Sequence, residues 1–114
     1  MAFTTFEKKR ISLLLDGYCE KRVSARVRHQ LRIDFKFRGN TVTLLEARVN
    51  YRKPEEWTES PFAQFRRAEE NGVWRLYCRG RNQQWKLFEP HPESKVIEEL
   101  LAVVDKDSTR HFYG

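Results

Sequence analysis

The sequence holds few of the residues that build disulfide frameworks, metal sites or cofactor cradles. Only two cysteines occur among 114 residues, Cys19 and Cys78, whereas small secreted domains are usually stapled by several. The three histidines, His29, His91 and His111, are scattered along the chain, and none stands at metal-ligand spacing. With five glycines in all, no glycine-rich phosphate loop can be read. These absences predict no bound metal and no small-molecule cofactor.

The chain also lacks a long apolar run. Its longest apolar stretch, Ile11 to Leu15, is far shorter than the ~20 residues that a membrane helix needs. Met1 to Phe6 contains no apolar run of the kind found in signal peptides, and Lys8, Lys9 and Arg10 interrupt the segment that follows. We therefore expect a cytoplasmic protein with reduced cysteines and no membrane association.

Positive charge is present in excess and is spread unevenly. The formal net charge is +6. Residues 1–53 carry 13 Lys and Arg against 5 Asp and Glu, whereas residues 89–114 carry 3 against 6. Such asymmetry concentrates positive potential on the N-terminal half, which would attract an anionic partner.

Apolar spacing along the chain predicts two helices and five strands. Thr4 and Glu7 form a capping-box pattern before a helical repeat, and alternating residues then favour strands. Asn71-Gly72 is a hairpin signal, while the prolines between 52 and 61 predict a connecting loop. The predicted elements are a helix over 5–22, strands over 31–38, 41–51, 62–67, 73–79 and 84–88, and a helix over 92–106.

This order predicts one α+β domain over residues 1–114, with both helices on one face of a five-stranded antiparallel sheet. In the second strand, Leu45, Ala47 and Val49 are predicted on one face, with Glu46 and Arg48 on the other. Phe112 and Tyr113 are expected to pack back onto the body. The predicted shared core comprises Leu14, Leu15, Leu31, Ile33, Phe35, Phe37, Trp74, Leu76, Ile97, Leu100 and Leu101.

Several motifs resemble the domain-of-unknown-function family 3024, over nearly the whole chain and in the same order. They are Leu45-Glu46-Ala47-Arg48, Glu59-Ser60-Pro61-Phe62-Ala63, Trp74 with Tyr77, Trp85 to Glu93, and the closing Val104-Asp105-Lys106-Asp107 and Phe112-Tyr113-Gly114. Members tend to have a histidine where this chain has Lys86, so a chemical role of that histidine would be lacking here. The resemblance implies a free-standing bacterial protein and supplies no activity.

Basic side chains recur on the polar side of the predicted strands. Alternation directs them away from the core, around one aromatic ring, and basic residues beside an aromatic on a sheet suit phosphates and stacked bases. The candidate nucleic-acid-binding residues, for RNA or DNA, are Arg32, Lys36, Arg38, Arg48, Arg66, Arg75, Tyr77 and Arg79. Trp57 is a further candidate for an exposed anchor. The competing interpretation is a solvated face of cross-strand ion pairs.

Two other classes of function stay open. Asp34, Glu46 and Arg48 resemble the Asp…Glu-x-Lys pattern of a Mg²⁺-dependent nuclease, but Arg replaces Lys and no further acidic ligand is evident. No nucleophile-base pair can be read, so we expect no enzyme. A protein-interaction module, as a homodimer or with a regulatory partner, is the main alternative, because the sheet has free edges and one uncovered face.

Overall fold

The structure is a computed structural model that describes residues 3–80 and 83–106. The predicted packing of Phe112 and Tyr113 onto the body lies outside the described residues. The elements in chain order are α1 (Thr5–Arg22), a 3₁₀ helix (Ala25–Val27), β1 (Leu31–Arg38), β2 (Thr41–Val49), β3 (Trp57–Arg67), β4 (Trp74–Arg79), β5 (Trp85–Leu87), β6 (Glu93–Ser94) and α2 (Ile97–Lys106). No helix among these elements is long and apolar enough to cross a membrane.

Helix α1 has the predicted bounds and the predicted capping box. The Glu7 N–H donates to Thr4 Oγ1 at 3.1 Å, and the Thr4 N–H donates to Glu7 Oε1 at 2.9 Å, so two of the donors left free at the helix start are satisfied. At the other end, the Arg28 guanidinium donates to the carbonyl oxygens of Glu20 at 2.7 Å and Val23 at 3.2 Å. Both ends of α1 are therefore held by side chains.

The strands form one antiparallel sheet in the order β1-β2-β3-β4-β5, and β6 also pairs with β4. Gly39 and Gly72 have φ of +57° and +67° in the connections after β1 and β3, a conformation that glycine adopts at little cost. Together with the two helices this confirms the α+β class and the antiparallel sheet.

The prediction of a loop up to Pro61 is wrong, because β3 begins at Trp57 and passes through Pro61. Proline lacks an N–H and is tolerated in a strand beside a bulge or along an unpaired edge. Both conditions hold here. The register of β2 against β3 shifts between Leu44 and Leu45, next to Pro61, and β4 pairs with β3 only from Ala63 onward.

The second helix is also shorter than predicted, because it begins at Ile97 rather than at residue 92. The preceding Glu93 and Ser94 pair with β4 instead and form the short strand β6. The Ser94 hydroxyl accepts from the Val96 N–H at 3.2 Å and donates to Glu99 Oε2 at 2.6 Å. These bonds hold the chain in a turn that leads from the strand into the helix.

The inner face of the sheet is the side that carries Ile33, Val42, Phe65 and Leu76. Buried residues of α1 and α2 belong to the same apolar cluster as this face. The two helices are also joined by the ion pairs Arg10–Glu98 at 3.3 Å and Arg22–Asp105 at 3.6 Å. The buried cluster comprises Phe3, Ile11, Leu15, Val23, Ile33, Val42, Leu44, Phe62, Ala63, Phe65, Trp74, Leu76, Cys78, Phe88, Ile97, Leu100, Leu101 and Val104.

Seven of the eleven predicted core residues belong to this cluster, and three others, Leu14, Phe35 and Phe37, are partly buried against it. Leu31 is the exception, because it is half-exposed at the start of β1 and lies outside the cluster. The first residue of an edge strand has few neighbours to cover it, so Leu31 contributes less than its position in the alternation suggested.

Arg67, at the end of β3, fastens the start of α1 to the sheet. Its guanidinium forms an ion pair with Glu7 and lies over the Phe3 ring, 4.6 Å from the ring centroid. The hydrogen bond from Arg67, helped by the Thr4 N–H, lowers the pKa of Glu7 to about 2. Glu7, which completes the capping box of α1, thus also anchors the helix to β3.

Candidate nucleic-acid interface

The register of the strands decides which side chains share the outer face, defined as the side of the sheet opposite the inner face. Residues directly opposite each other on antiparallel strands project to the same side. Arg38 is opposite Thr41, which is opposite Arg66, which in turn is opposite Arg75. The same rule places seven of the eight predicted site residues on the outer face: Arg32, Lys36, Arg38, Arg66, Arg75, Tyr77 and Arg79.

The predicted outward orientation of Arg48 is wrong. Arg48 is opposite Leu31 and Glu46 is opposite the buried Ile33, so both polar residues project to the inner side. Leu45 and Ala47, each 2% exposed, project to the outer face and lie outside the main core cluster. Side chains keep alternating between the two faces along β1 and β2. Val42 and Leu44 belong to the core cluster, so their side of β2 is the inner one.

Two of the outer-face cations are neutralised by carboxylates. Lys36 Nζ lies 2.7 Å from Glu59 Oε1, and Arg75 Nε lies 3.7 Å from Glu93 Oε2. On the inner side Arg48 is likewise paired with Glu46. For these residues the geometry is that of a solvated ion-paired surface, in which each pair contributes little stability and little net charge.

Three of the other four outer-face arginines lie on aromatic rings. The guanidinium carbon of Arg66 is 3.9 Å from the centroid of the Tyr77 ring. The corresponding distances are 4.2 Å from Arg32 to Trp57 and 5.2 Å from Arg79 to Trp85. Cation–π contact orients a guanidinium without removing its charge. Within the described part of the chain, no carboxylate forms an ion pair with any arginine of these three stacks.

Two of these stacks border a hollow in the middle of the outer face, which we call the central depression. It is a shallow concavity of about 520 Å³ that spans β1 to β5. Its lining residues are Arg38, Thr41, Thr43, Pro61, Gln64, Arg66, Arg79 and Trp85. Three arginines therefore converge on one concavity whose described lining contains no acidic residue.

A short chain of hydrogen bonds fixes the floor of the central depression. Gln64 Nε2 donates to Thr43 Oγ1 at 3.0 Å, and Arg66 Nε donates to Gln64 Oε1 at 2.6 Å. At the rim, Arg79 Nε donates to the Gln83 carbonyl oxygen at 3.0 Å. Arg66 and Arg79 thus use Nε for positioning, which leaves terminal N–H groups to donate to an anion. A guanidinium of this kind binds phosphate with two parallel hydrogen bonds.

The comparison with protein families places the chain in a known family. The family described as "Domain of unknown function (DUF3024)" matches residues 3–114. The chain belongs to that family. No curated protein and no solved structure gave a match.

The nuclease constellation is not assembled in this DUF3024 chain. Asp34 and Glu46 project to opposite faces of the sheet, since Asp34 is opposite Leu45 and Glu46 is opposite Ile33. Asp34 instead accepts a hydrogen bond from the neighbouring Phe35 N–H at 2.8 Å. Among the residues that the structure describes, no three His, Cys, Asp or Glu side chains lie close enough to hold a metal ion.

The two cysteines have the character of packing residues. Both are free thiols. Burial, with Asp34 and Asp16 nearby, raises the pKa of Cys19 to about 12, and burial also raises the pKa of Cys78. A nucleophilic cysteine needs a lowered pKa, because the thiolate is the reactive form.

Sequence reasoning missed Trp85 and the polar floor of the depression. Trp85 belongs to a strand of three residues, too short for alternation to indicate a face, and only its position opposite Arg79 reveals it. Gln64 and Thr43 are neutral residues with no charge signal. Trp57 was a candidate anchor from its place near two prolines, and the structure puts it under Arg32.

Proposed function

We propose that this protein binds nucleic acid through the outer face of its sheet, with the central depression as the phosphate-binding centre. The observation that carries the proposal is the convergence of Arg38, Arg66 and Arg79 on one concavity without a described acidic residue in its lining. Uncompensated positive charge in a concave surface attracts anions, and a phosphodiester provides a fixed negative charge at any physiological pH.

The aromatic rings support nucleic acid over a simple anion. Trp85 lines the depression beside Arg79, and Tyr77 lies under Arg66. Proteins that bind single strands combine a basic groove with rings on which bases stack, and bases stack on guanidinium planes as well. No element among the described residues has the form of a recognition helix or a zinc finger, so contacts go to backbone and base faces, and sequence preference is weak.

The same considerations support a binding role rather than a catalytic one. The groups that converge on the depression are arginines, hydroxyls and an amide, which bind anions but do not exchange protons at neutral pH. The free thiols of Cys19 and Cys78 support a reducing, cytoplasmic location.

The proposal is tested by titrating a fluorescent mixed-sequence oligonucleotide with the protein at low salt and following anisotropy. Arg66→Gln combined with Arg79→Gln removes two charges from the depression and keeps a polar side chain at each position. We expect the double variant to bind more than about tenfold more weakly, because a hydrogen bond to a charged group contributes ~1.5–3 kcal/mol. Arg48→Gln is the matched control, since it removes an exposed arginine from the opposite face of the same sheet.

Two results would contradict the proposal. One is that the unmutated protein does not bind the oligonucleotide at low salt, and the other is that Arg48→Gln weakens binding as much as the double variant. Light scattering on the same sample tests the alternative of self-association. If a dimer forms and the oligonucleotide dissociates it, protein and nucleic acid compete for the outer face. If a dimer persists unchanged, self-association uses another surface, such as the edge of β1.

A further inference from the structure

One of the three stacks on the outer face, Arg32 on Trp57, is separate from the central depression. The Arg32 guanidinium lies 4.2 Å from the centroid of the Trp57 ring, at the end of the sheet where β1 begins and β3 begins. Pro61 lies at the rim of the depression, and Trp57 lies four residues before it on the same strand. At ~3.3 Å per residue this places Trp57 about 13 Å beyond the rim.

The surface between this stack and the central depression carries no net positive charge, because Asp34 projects there opposite Leu45. The Lys36–Glu59 ion pair, at 2.7 Å, crosses it, and the side chains of Leu45 and Ala47 are buried there. A ligand confined to the central depression would therefore gain nothing from Arg32 and Trp57. A ligand that touches both sites must extend over this stretch.

The loop after β2 adds another ring at this end of the sheet. Tyr51 is 83% exposed, and the Arg52 guanidinium lies 5.7 Å from its ring centroid and donates from Nε to the Tyr51 hydroxyl at 3.3 Å. The loop is closed by a hydrogen bond from the Asn50 N–H to the Glu56 carbonyl at 3.0 Å. Since Trp57 is opposite Val49, the loop that carries this ring leaves the sheet at the position of the Arg32–Trp57 stack.

We infer that the ligand of the outer face is a single-stranded nucleic acid of several nucleotides, with Arg32 and Trp57 as a second stacking site. This inference rests on the proposed function and specifies its substrate. In a duplex the base faces are occupied by neighbouring bases, so rings and guanidinium planes cannot stack on them, whereas an unpaired strand presents every base face. The distance between the sites requires a polymer, because a single nucleotide cannot reach from one to the other.

The test compares a strand of about 12 nucleotides, within the ~4–16 nucleotides that single-strand-binding folds cover, with one of about 2 nucleotides, which is too short to reach both sites. We expect Trp57→Ala to weaken binding of the long strand about tenfold, since stacking of one base contributes on this scale, and to leave binding of the short strand unchanged. Trp57→Phe keeps a ring and should restore most of the affinity. A given strand offers the same number of overlapping binding positions to the variant and to the parent protein. The ratio of their affinities therefore reports the contribution of the second site alone.

Arg32→Gln is an independent variant, because the Arg32 side chain is exposed and its replacement does not open the protein interior. It should show the same dependence on strand length, and Arg48→Gln should show none. If Trp57→Ala and Arg32→Gln bind the long strand as tightly as the parent, the second site is overturned and the central depression alone remains. If a 12-pair duplex binds as tightly as the single strand, the single-strand preference is overturned. If the parent protein binds neither strand, the proposed function itself is overturned.

Discussion

The salt dependence of binding tests the division of the outer-face cations into neutralised and unneutralised groups. Each phosphate neutralised on a single strand releases counterions and contributes about −0.7 to the slope of log K against log salt. The central depression offers three arginines without a described carboxylate partner, Arg38, Arg66 and Arg79. The structure therefore predicts a slope of about −2 for a strand confined to the depression. A strand long enough to reach Arg32 should add about −0.7 more.

The experiment uses a set of single Arg→Gln variants, measured by anisotropy at several salt concentrations. Arg66→Gln should reduce the size of the slope by about 0.7. Arg75→Gln is the matched comparison, because Arg75 lies on the same face but is paired with Glu93 at 3.7 Å. A charge that Glu93 already compensates neutralises no phosphate and releases few counterions on binding. The slope of Arg75→Gln should therefore stay close to that of the parent.

One outcome would contradict this division directly. If Arg75→Gln lowers the slope as much as Arg66→Gln does, the ion pair with Glu93 opens in the complex and the two groups of cations are equivalent. A parent slope near zero would be equally damaging, since it would mean that the contacts are not made to phosphates.

Three further predictions concern stability and reactivity. Gly72→Ala should lower the free energy of unfolding by about 1 kcal/mol, because Gly72 has a φ of +67° that alanine adopts with strain; Gly17→Ala, in the interior of α1 with open space around it, should raise it by about 0.5–1 kcal/mol, and urea titrations measure both. Because the pKa of Glu7 is lowered to about 2, its ionised form stabilises the fold above the unfolded pKa of ~4.3, and this contribution is lost as pH falls from there towards 2. The thermal midpoint of the parent should therefore exceed that of Glu7→Gln at pH 7 and approach it near pH 2; an unchanged difference would show that the bond to Arg67 does not favour the carboxylate. The Cys19 thiol, with a pKa of about 12, should react with iodoacetamide at pH 8 far more slowly in the native protein than in urea, and equal rates would contradict its burial.

Local signals predicted the secondary structure well where one pattern was present without competition. The capping box of Thr4 and Glu7 set the start of α1, and the alternation of β1 set the whole of that strand. Both depend on neighbours within four residues. The bounds that were wrong, at Trp57 and Ile97, depend instead on pairing with a distant strand, since the segments before Phe62 and around Ser94 are extended only because β2 and β4 hold them.

The sequence is sufficient to predict which basic side chains belong to the candidate site. It is not sufficient to predict which of them are neutralised by a carboxylate. Alternation within β1 and β4 is sufficient to place Arg32, Arg38 and Arg79 on one face. Whether a cation keeps its charge depends on a partner far away in sequence. Lys36 meets Glu59, 23 residues later, and no periodic signal links the two.

The class of the fold and the sign of the surface were readable from the amino acids alone, because hydrophobic period and charge are properties of short segments. The amino acids alone did not show which side of β2 faces the core. Val42 and Leu44 compete there with Leu45 and Ala47, and the two pairs cannot face the same way on one strand. The choice depends on cross-strand partners: Val42 is opposite Phe37 and Phe65 and joins the core, which turns Arg48 away from the outer face. Register couples residues that are distant along the chain, so the convergence of three arginines on the central depression emerges only when the sheet is assembled.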